Sequence, residues 1–162
     1  MSRYTAEQIE RRQQSRWTMV QVIGAPVQFM VFLVSFGFVL HNIIDYAHAN
    51  FDITNGTILV KVLVLYFMMI TGMLWEKDVF GHYVYAPEFF WEDVVSTLLM
   101  ITHTSYLVAA LLGAPHEVLL VVVMIAYLNY LFNAAQYVLK FLLNREKKKK
   151  AIVEQEPVTT EV

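Results

Sequence analysis

Two acid patches, Glu76 to Asp78 and the adjacent Glu92 and Asp93, flank one short run between long apolar segments, WEKDVFGHYVYAPEFFWEDVVS at residues 75–96, and Glu76, Glu92 and Asp93 are its candidates for chemistry. A carboxyl at the edge of a hydrocarbon layer loses solvation, and neighbouring carboxyls repel. Both effects keep a proton on one of them near neutral pH. A carboxyl held in that state is a general acid. The competing reading is structural: the acids pair with Lys77 or Arg16, or sit at helix N-termini where the dipole favours negative charge. The Ala86-Pro87 break divides the run into a hairpin that would bring both acid patches to one rim of a bilayer.

Further polar groups recur at helical spacing, where residues 4, 7 and 11 apart share a face. Glu92, Ser96 and His103 form one such stripe, with Asp93, Thr97 and Thr104 beside it; Asn129, Asn133, Gln136 and Lys140 form another. A further segment contributes Lys61, Tyr66 and Glu76. Such faces point into a bundle rather than at lipid. Amide and hydroxyl stripes of this kind either join helices or touch a ligand, and the spacing does not decide between the two for Asn129, Asn133 and Gln136. His103 lies about 16 Å along its helix from Glu92, near mid-membrane. A neutral imidazole there could ligate a metal centre such as the Mg of a chlorin, or could be a packed, hydrogen-bonded core residue. Bis-histidine haem ligation would need a second histidine at matching depth, and no other span carries one. Lys140 is expected to snorkel to the headgroups, and His41, His48 and His116 to lie on the outer surface.

The elements that must hold these groups follow from composition. The 162 residues are 57% hydrophobic and 16% charged, which marks a membrane protein rather than a soluble domain. Four segments are long enough to cross a hydrocarbon core: about 18–40, 57–75, 89–112 and 118–142. The expected fold class is all-α, a four-helix transmembrane bundle. A 1–17 interfacial segment precedes it, with a short helix opening at Thr5 and Gln8 as its capping pair, and a basic then polar, disordered tail over 143–162 follows it. A signal peptide is disfavoured by the length of the first apolar run and by Pro26 within it. Outside the spans, Lys and Arg fall before the first, at Lys77 and after the fourth, and the 41–56 and 113–117 loops have none. By the positive-inside rule both termini and the 76–88 loop are cytoplasmic, and Trp17, Trp75 and Trp91 lie at that same interface. With no cysteine there is no disulfide or thiolate chemistry, and a net charge of −2 argues against nucleic acid as a partner.

Trp75-Glu76-Lys77, Val79-Phe80-Gly81, Ala86-Pro87 and Phe89-Phe90-Trp91-Glu92-Asp93-Val94-Val95-Ser96 together resemble the bacteriochlorophyllide 3-vinyl hydratase family. Arg3-Tyr4-Thr5, Ser15-Arg16-Trp17-Thr18, Ala25-Pro26, Val62-Leu63-Val64-Leu65-Tyr66 and Asn133-Ala134-Ala135-Gln136 extend the likeness over most of the chain. The resemblance implies hydration of the C3 vinyl group of a chlorophyllide or bacteriochlorophyllide to a 3-(1-hydroxyethyl) group, in a bacterial inner or photosynthetic membrane. No cofactor is required beyond pigment and water. On chemical grounds Glu76, Glu92 and Asp93 are then the acid and water-activating groups, with Lys77 tuning their charge or meeting a propionate. Replacing Glu92 by Gln would abolish turnover. His103 is a possible axial contact to the substrate Mg, and Tyr66, Tyr83, Tyr85, Phe89, Asn129, Asn133 and Gln136 would line the pigment. Further partners would be lipid, a second copy of the chain in a homo-oligomer, or neighbouring pathway enzymes. A non-catalytic pigment carrier is the alternative function.

Overall fold

A computed structural model describes residues 5–155. Among the described residues the fold is all-helical: α1 (Ala6–Gln14), α2 (Arg16–Ile44), α3 (Phe51–Phe80), α4 (Phe90–Leu111) and α5 (His116–Gln155), with a 3-10 turn Tyr46–His48 between α2 and α3. Of these, α2 to α5 are long and apolar enough to cross a membrane, so the chain is a multi-pass membrane protein. Their outward faces carry exposed Met19, Val22, Ile23, Leu63 and Phe67, a surface suited to hydrocarbon rather than water.

Local chemistry explains where the helices begin and end. Thr5 and Gln8 form the expected capping box of α1, each side chain taking the other's backbone N–H. The outer connection is shorter than the expected 41–56 loop, because α2 runs on to Ile44 and α3 already starts at Phe51. Asn50 caps α3 by accepting from the Ile53 N–H at 3.1 Å, and Asp52 sits in the first turn, where the dipole favours it. Thr54 and Thr57 bond back to carbonyls within the helix, so a polar stretch that reads as loop is helical. At the inner end α3 continues to Phe80 and stops at Gly81, whose φ of 83° places it in the left-handed region. Helix α5 extends past the expected span end at 142 as far as Gln155; the final part of the expected tail, 156–162, lies outside the described residues.

The core joins all four long helices. Phe32 of α2 lies 4.6 Å from the Tyr130 ring and 5.2 Å from the Tyr127 ring of α5, and Ile58, Val62, Leu65, Leu99 and Tyr106 fill in from α3 and α4. α2 packs mainly on α3 and α4 mainly on α5, leaving the α3–α4 seam thin. At the outer end the Tyr46 hydroxyl donates to Glu117 at 2.7 Å, which holds the phenol above its ordinary pKa, and His116 stacks on Phe51 at 3.9 Å. At the inner end α1 is tied down by Gln8 donating to Glu88 and Ser15 donating to Asp78, both at 2.9 Å.

Candidate functional site

The acids occupy the end of the bundle that α1 and the 81–89 connection close, but they do not gather as three. Glu92 and Asp93 are consecutive on α4 and therefore point about 100° apart, the angle per residue at 3.6 residues per turn. Asp93 faces α3, where its carboxyl is hydrogen-bonded to that of Glu76. Such a contact is a hydrogen bond only when one carboxyl carries a proton. Glu92 faces α5 and forms an ion pair with Lys140. Its carboxyl is 3% exposed, and a carboxylate that buried requires a counter-charge. This corrects two expectations: Glu92 stands outside the acid pair, and Lys140 turns inward to meet it rather than snorkelling.

The 81–89 connection folds back over Glu76 and Asp93. Tyr85 adopts φ 58°, uncommon for a residue with a side chain, and this turn aims consecutive backbone N–H groups at the acids. The Tyr85 N–H donates to Asp93 Oδ2 at 2.6 Å, and the Ala86 N–H faces Glu76. The Tyr85 phenol also meets the Thr97 hydroxyl at 2.8 Å, one turn beyond Asp93 on α4. Glu76 is buried, and its Oε2 has no hydrogen-bond partner among the described residues. Beside it, Trp75, Phe80 and Phe89 form an aromatic cluster with ring centroids 5.5 to 5.7 Å apart. Phe89 is thus placed next to the acids as expected, although its ring packs on protein. Lys77 is turned away from the acids: its ammonium donates to the Gly81 carbonyl at 3.0 Å and lies 5.0 Å over the Tyr83 ring. Tyr83 is itself exposed.

The polar stripes divide differently from the sequence expectation. Asn129 donates to Thr102 at 3.4 Å, and Lys140 meets Glu92, so the stripe on α5 runs antiparallel along α4 and joins the two helices. Asn133 and Gln136 lie between these two contacts on the same face, and Asn133 keeps a buried Oδ1 with no partner among the described residues. Tyr66 reaches across from α3 to Thr104 at 2.6 Å.

His103 is 1% exposed, with both ring nitrogens engaged: Nδ1 with the Leu99 carbonyl at 2.8 Å and Nε2 with the Lys61 amine. No nitrogen is left for an axial contact to Mg, which corrects that expectation. The reason lies in Lys61, which reads as an outer-end residue when α3 is started at 57. With α3 starting at Phe51 it sits about 15 Å inside, close to the depth of His103 on α4. The lysine is fully buried, with its ammonium nitrogen 4.3 Å from the centre of the Tyr130 ring. Tyr127 packs beside His103 and shares a 2.5 Å hydrogen bond with Ser35 of α2. Starting α3 at Phe51, on the Asn50 cap and the first-turn Asp52, would have put Lys61 near the depth of His103 and revealed this cluster.

This end of the bundle therefore offers a carboxyl pair with Glu76 buried and Asp93 half-buried, a backbone turn that fixes its geometry and one carboxyl oxygen without a hydrogen-bond partner among the described residues. That arrangement can deliver a proton and withdraw another at the same place, which is acid–base chemistry. A family model described as 2-vinyl bacteriochlorophyllide hydratase matches residues 4–143. Among curated relatives, a 2-vinyl bacteriochlorophyllide hydratase of Cereibacter sphaeroides is 44% identical over 142 residues, covering 88% of each chain. Another of that name from Rhodobacter capsulatus is 42% identical over 137 residues, covering 85% of this chain and 79% of the relative. No solved structure matches. With the family model spanning nearly the whole chain and both relatives agreeing, the chain belongs to the 2-vinyl bacteriochlorophyllide hydratase family.

Proposed function

We infer that this chain is a hydro-lyase of bacteriochlorophyll biosynthesis that adds water to the C3 vinyl group of a chlorophyllide or bacteriochlorophyllide, giving the 3-(1-hydroxyethyl) pigment. Family membership supports the reaction. One observation supports the residues: the Glu76 and Asp93 carboxyls meet at the rim, and the buried Glu76 keeps an oxygen with no hydrogen-bond partner among the described residues. The Tyr85 N–H on Asp93 favours the carboxylate there, so the shared proton rests on Glu76. Glu76 gives that proton to the terminal vinyl carbon, which becomes a methyl group. The adjacent carbon becomes a cation that the macrocycle delocalises. Water adds its oxygen to that carbon as Asp93 takes the departing proton. The hydrogen bond between the two acids returns the proton to Glu76, and one water has been added with no change of oxidation state.

The same reading puts the chain in a bacterial inner or photosynthetic membrane, with both termini and the acid rim on the cytoplasmic side. The supporting pattern is Arg11, Arg12, Arg16, Lys77 and the 147–150 lysines at this end, against loops without Lys or Arg at the other. In deuterated water the wild-type product should carry one deuterium in its new methyl group. Glu76→Gln and Asp93→Asn should each lower turnover by about 10²- to 10⁴-fold, the usual worth of a positioned acid or base. Wild-type turnover in either variant would remove the pair from the mechanism.

A further inference from the structure

The thin seam between α3 and α4 opens outward as a groove of about 670 Å³, within the size range of sites that hold a ligand of several rings. We propose that this groove seats the tetrapyrrole macrocycle, which enters sideways from the apolar layer and presents its vinyl group to the Glu76–Asp93 pair. The proposal rests on the hydration reading and assigns a binding site to it.

Three features make a macrocycle the occupant. The lining is almost wholly one face of α4, on which the smaller Thr97, Thr104, Ser105 and Ala109 stand among Met100, Ile101 and Val108, with Tyr66 as the contribution of α3, and a flat ring can lie along such a surface. Midway along it the Tyr66 and Thr104 hydroxyls meet, and Thr104 donates onward to the Met100 carbonyl, so polar oxygens face an otherwise apolar cleft where a ring carbonyl could be met. The inner end of the groove is Thr97, four residues and so about 6 Å along α4 from Asp93. Tyr85 bridges that interval, with its phenol on Thr97 and its N–H on Asp93. A group seated in the groove therefore has its edge beside the acids, whereas a lipid tail there would need none of the hydroxyls. A second outward groove of about 440 Å³, between α2 and α3, is lined by Val34, Ile53 and Gly56 at the far end of the bundle from the Glu76–Asp93 pair.

The test uses the full-length protein in lipid nanodiscs, titrated with chlorophyllide a and followed by pigment absorption and by turnover. Ser105→Trp fills the groove from an exposed position, and Tyr66→Phe removes its central hydroxyl without changing its shape. Val34→Trp fills the other groove as a control. Ser105→Trp should raise both Kd and KM by about tenfold or more, and Tyr66→Phe should raise KM with kcat kept, while Val34→Trp and the melting temperatures stay as in wild type. Glu76→Gln should bind pigment with the wild-type Kd and not turn it over. Wild-type Kd in Ser105→Trp, with turnover intact, would overturn the groove assignment and leave hydration standing. Pigment bound in the groove but never hydrated by the wild-type protein would instead overturn the hydration reading and keep the site. Should Ser105→Trp fail to fold, Ala109→Phe and the KM of Tyr66→Phe decide the same question.

Discussion

Two pairs of ionisable residues that link α3 to α4 lie at different depths of the bundle, and the reading proposed above gives chemistry to one and architecture to the other. Glu76 and Asp93 sit at the rim beneath two backbone N–H groups, with an oxygen left over. Lys61 and His103 sit deep between α3 and α4, with every nitrogen of the imidazole engaged. Removing His103 strands the Lys61 amine among Tyr127 and Tyr130. His103→Ala should therefore cost about 1–3 kcal/mol beyond the lost packing, the penalty of a buried donor without a partner. The double variant Lys61→Met with His103→Leu should be markedly more stable than His103→Ala, because replacing both partners by apolar groups leaves nothing unsatisfied. Unfolding followed in detergent distinguishes the two, and equal losses would mean that the pair is not a unit. That the acids, the histidine and the α5 stripe face inward is legible from spacing. Which acid meets which partner is not, because Glu92 and Asp93 differ by one residue and only the packing of α3 and α5 on either side of α4 separates them.

At the scale of elements, the 81–89 connection does the positioning. It leaves α3 at Gly81 with φ 83° and turns at Tyr85 with φ 58°. A side chain at Gly81 would have to adopt the left-handed conformation, which costs roughly 1–2 kcal/mol. Gly81→Ala should lower stability by about that amount and lower kcat with it, since the exit from α3 aims the Tyr85 and Ala86 N–H groups. Unchanged kcat would show that the turn holds its geometry without Gly81. The α4–α5 pairing makes a separate prediction. Glu92→Gln breaks the ion pair with Lys140, whose side chain is 40% exposed and can reach solvent. The loss should be about 1 kcal/mol of stability, with turnover largely kept; lost turnover at full stability would return Glu92 to the catalytic group. The capping box of α1 and the four apolar spans were readable from local sequence. The short outer connection was not, because the polar stretch Asn50 to Gly56 reads as loop until Asn50 caps the helix and the Thr54 hydroxyl finds the Asn50 carbonyl.

Across the whole molecule, one end of the bundle is knitted by α1, the 81–89 connection and the acids, and the other by the Tyr46–Glu117 and Phe51–His116 contacts. The topology proposed above, from the lysine and arginine pattern, puts the acid end on the cytoplasmic side. Because the chain has no cysteine, His82→Cys and Ala47→Cys can each be labelled as the sole thiol. A membrane-impermeant reagent added outside intact cells should reach Ala47→Cys and not His82→Cys; the reverse would invert the topology. Family and fold class were recoverable from residue runs spread along the chain, whereas the groove between α3 and α4 depends on how two pairs of helices lean against each other and leaves no trace in periodicity. The account is tested most directly by one comparison in a host that makes no chlorophyll, feeding membranes that hold wild-type, Glu76→Gln or Glu92→Gln protein with a vinyl bacteriochlorophyllide and reading pigment mass. Wild-type and Glu92→Gln membranes should return pigment heavier by one water, and Glu76→Gln membranes the pigment unchanged. Hydration at the wild-type rate by Glu76→Gln, or none by wild-type protein, would contradict the account.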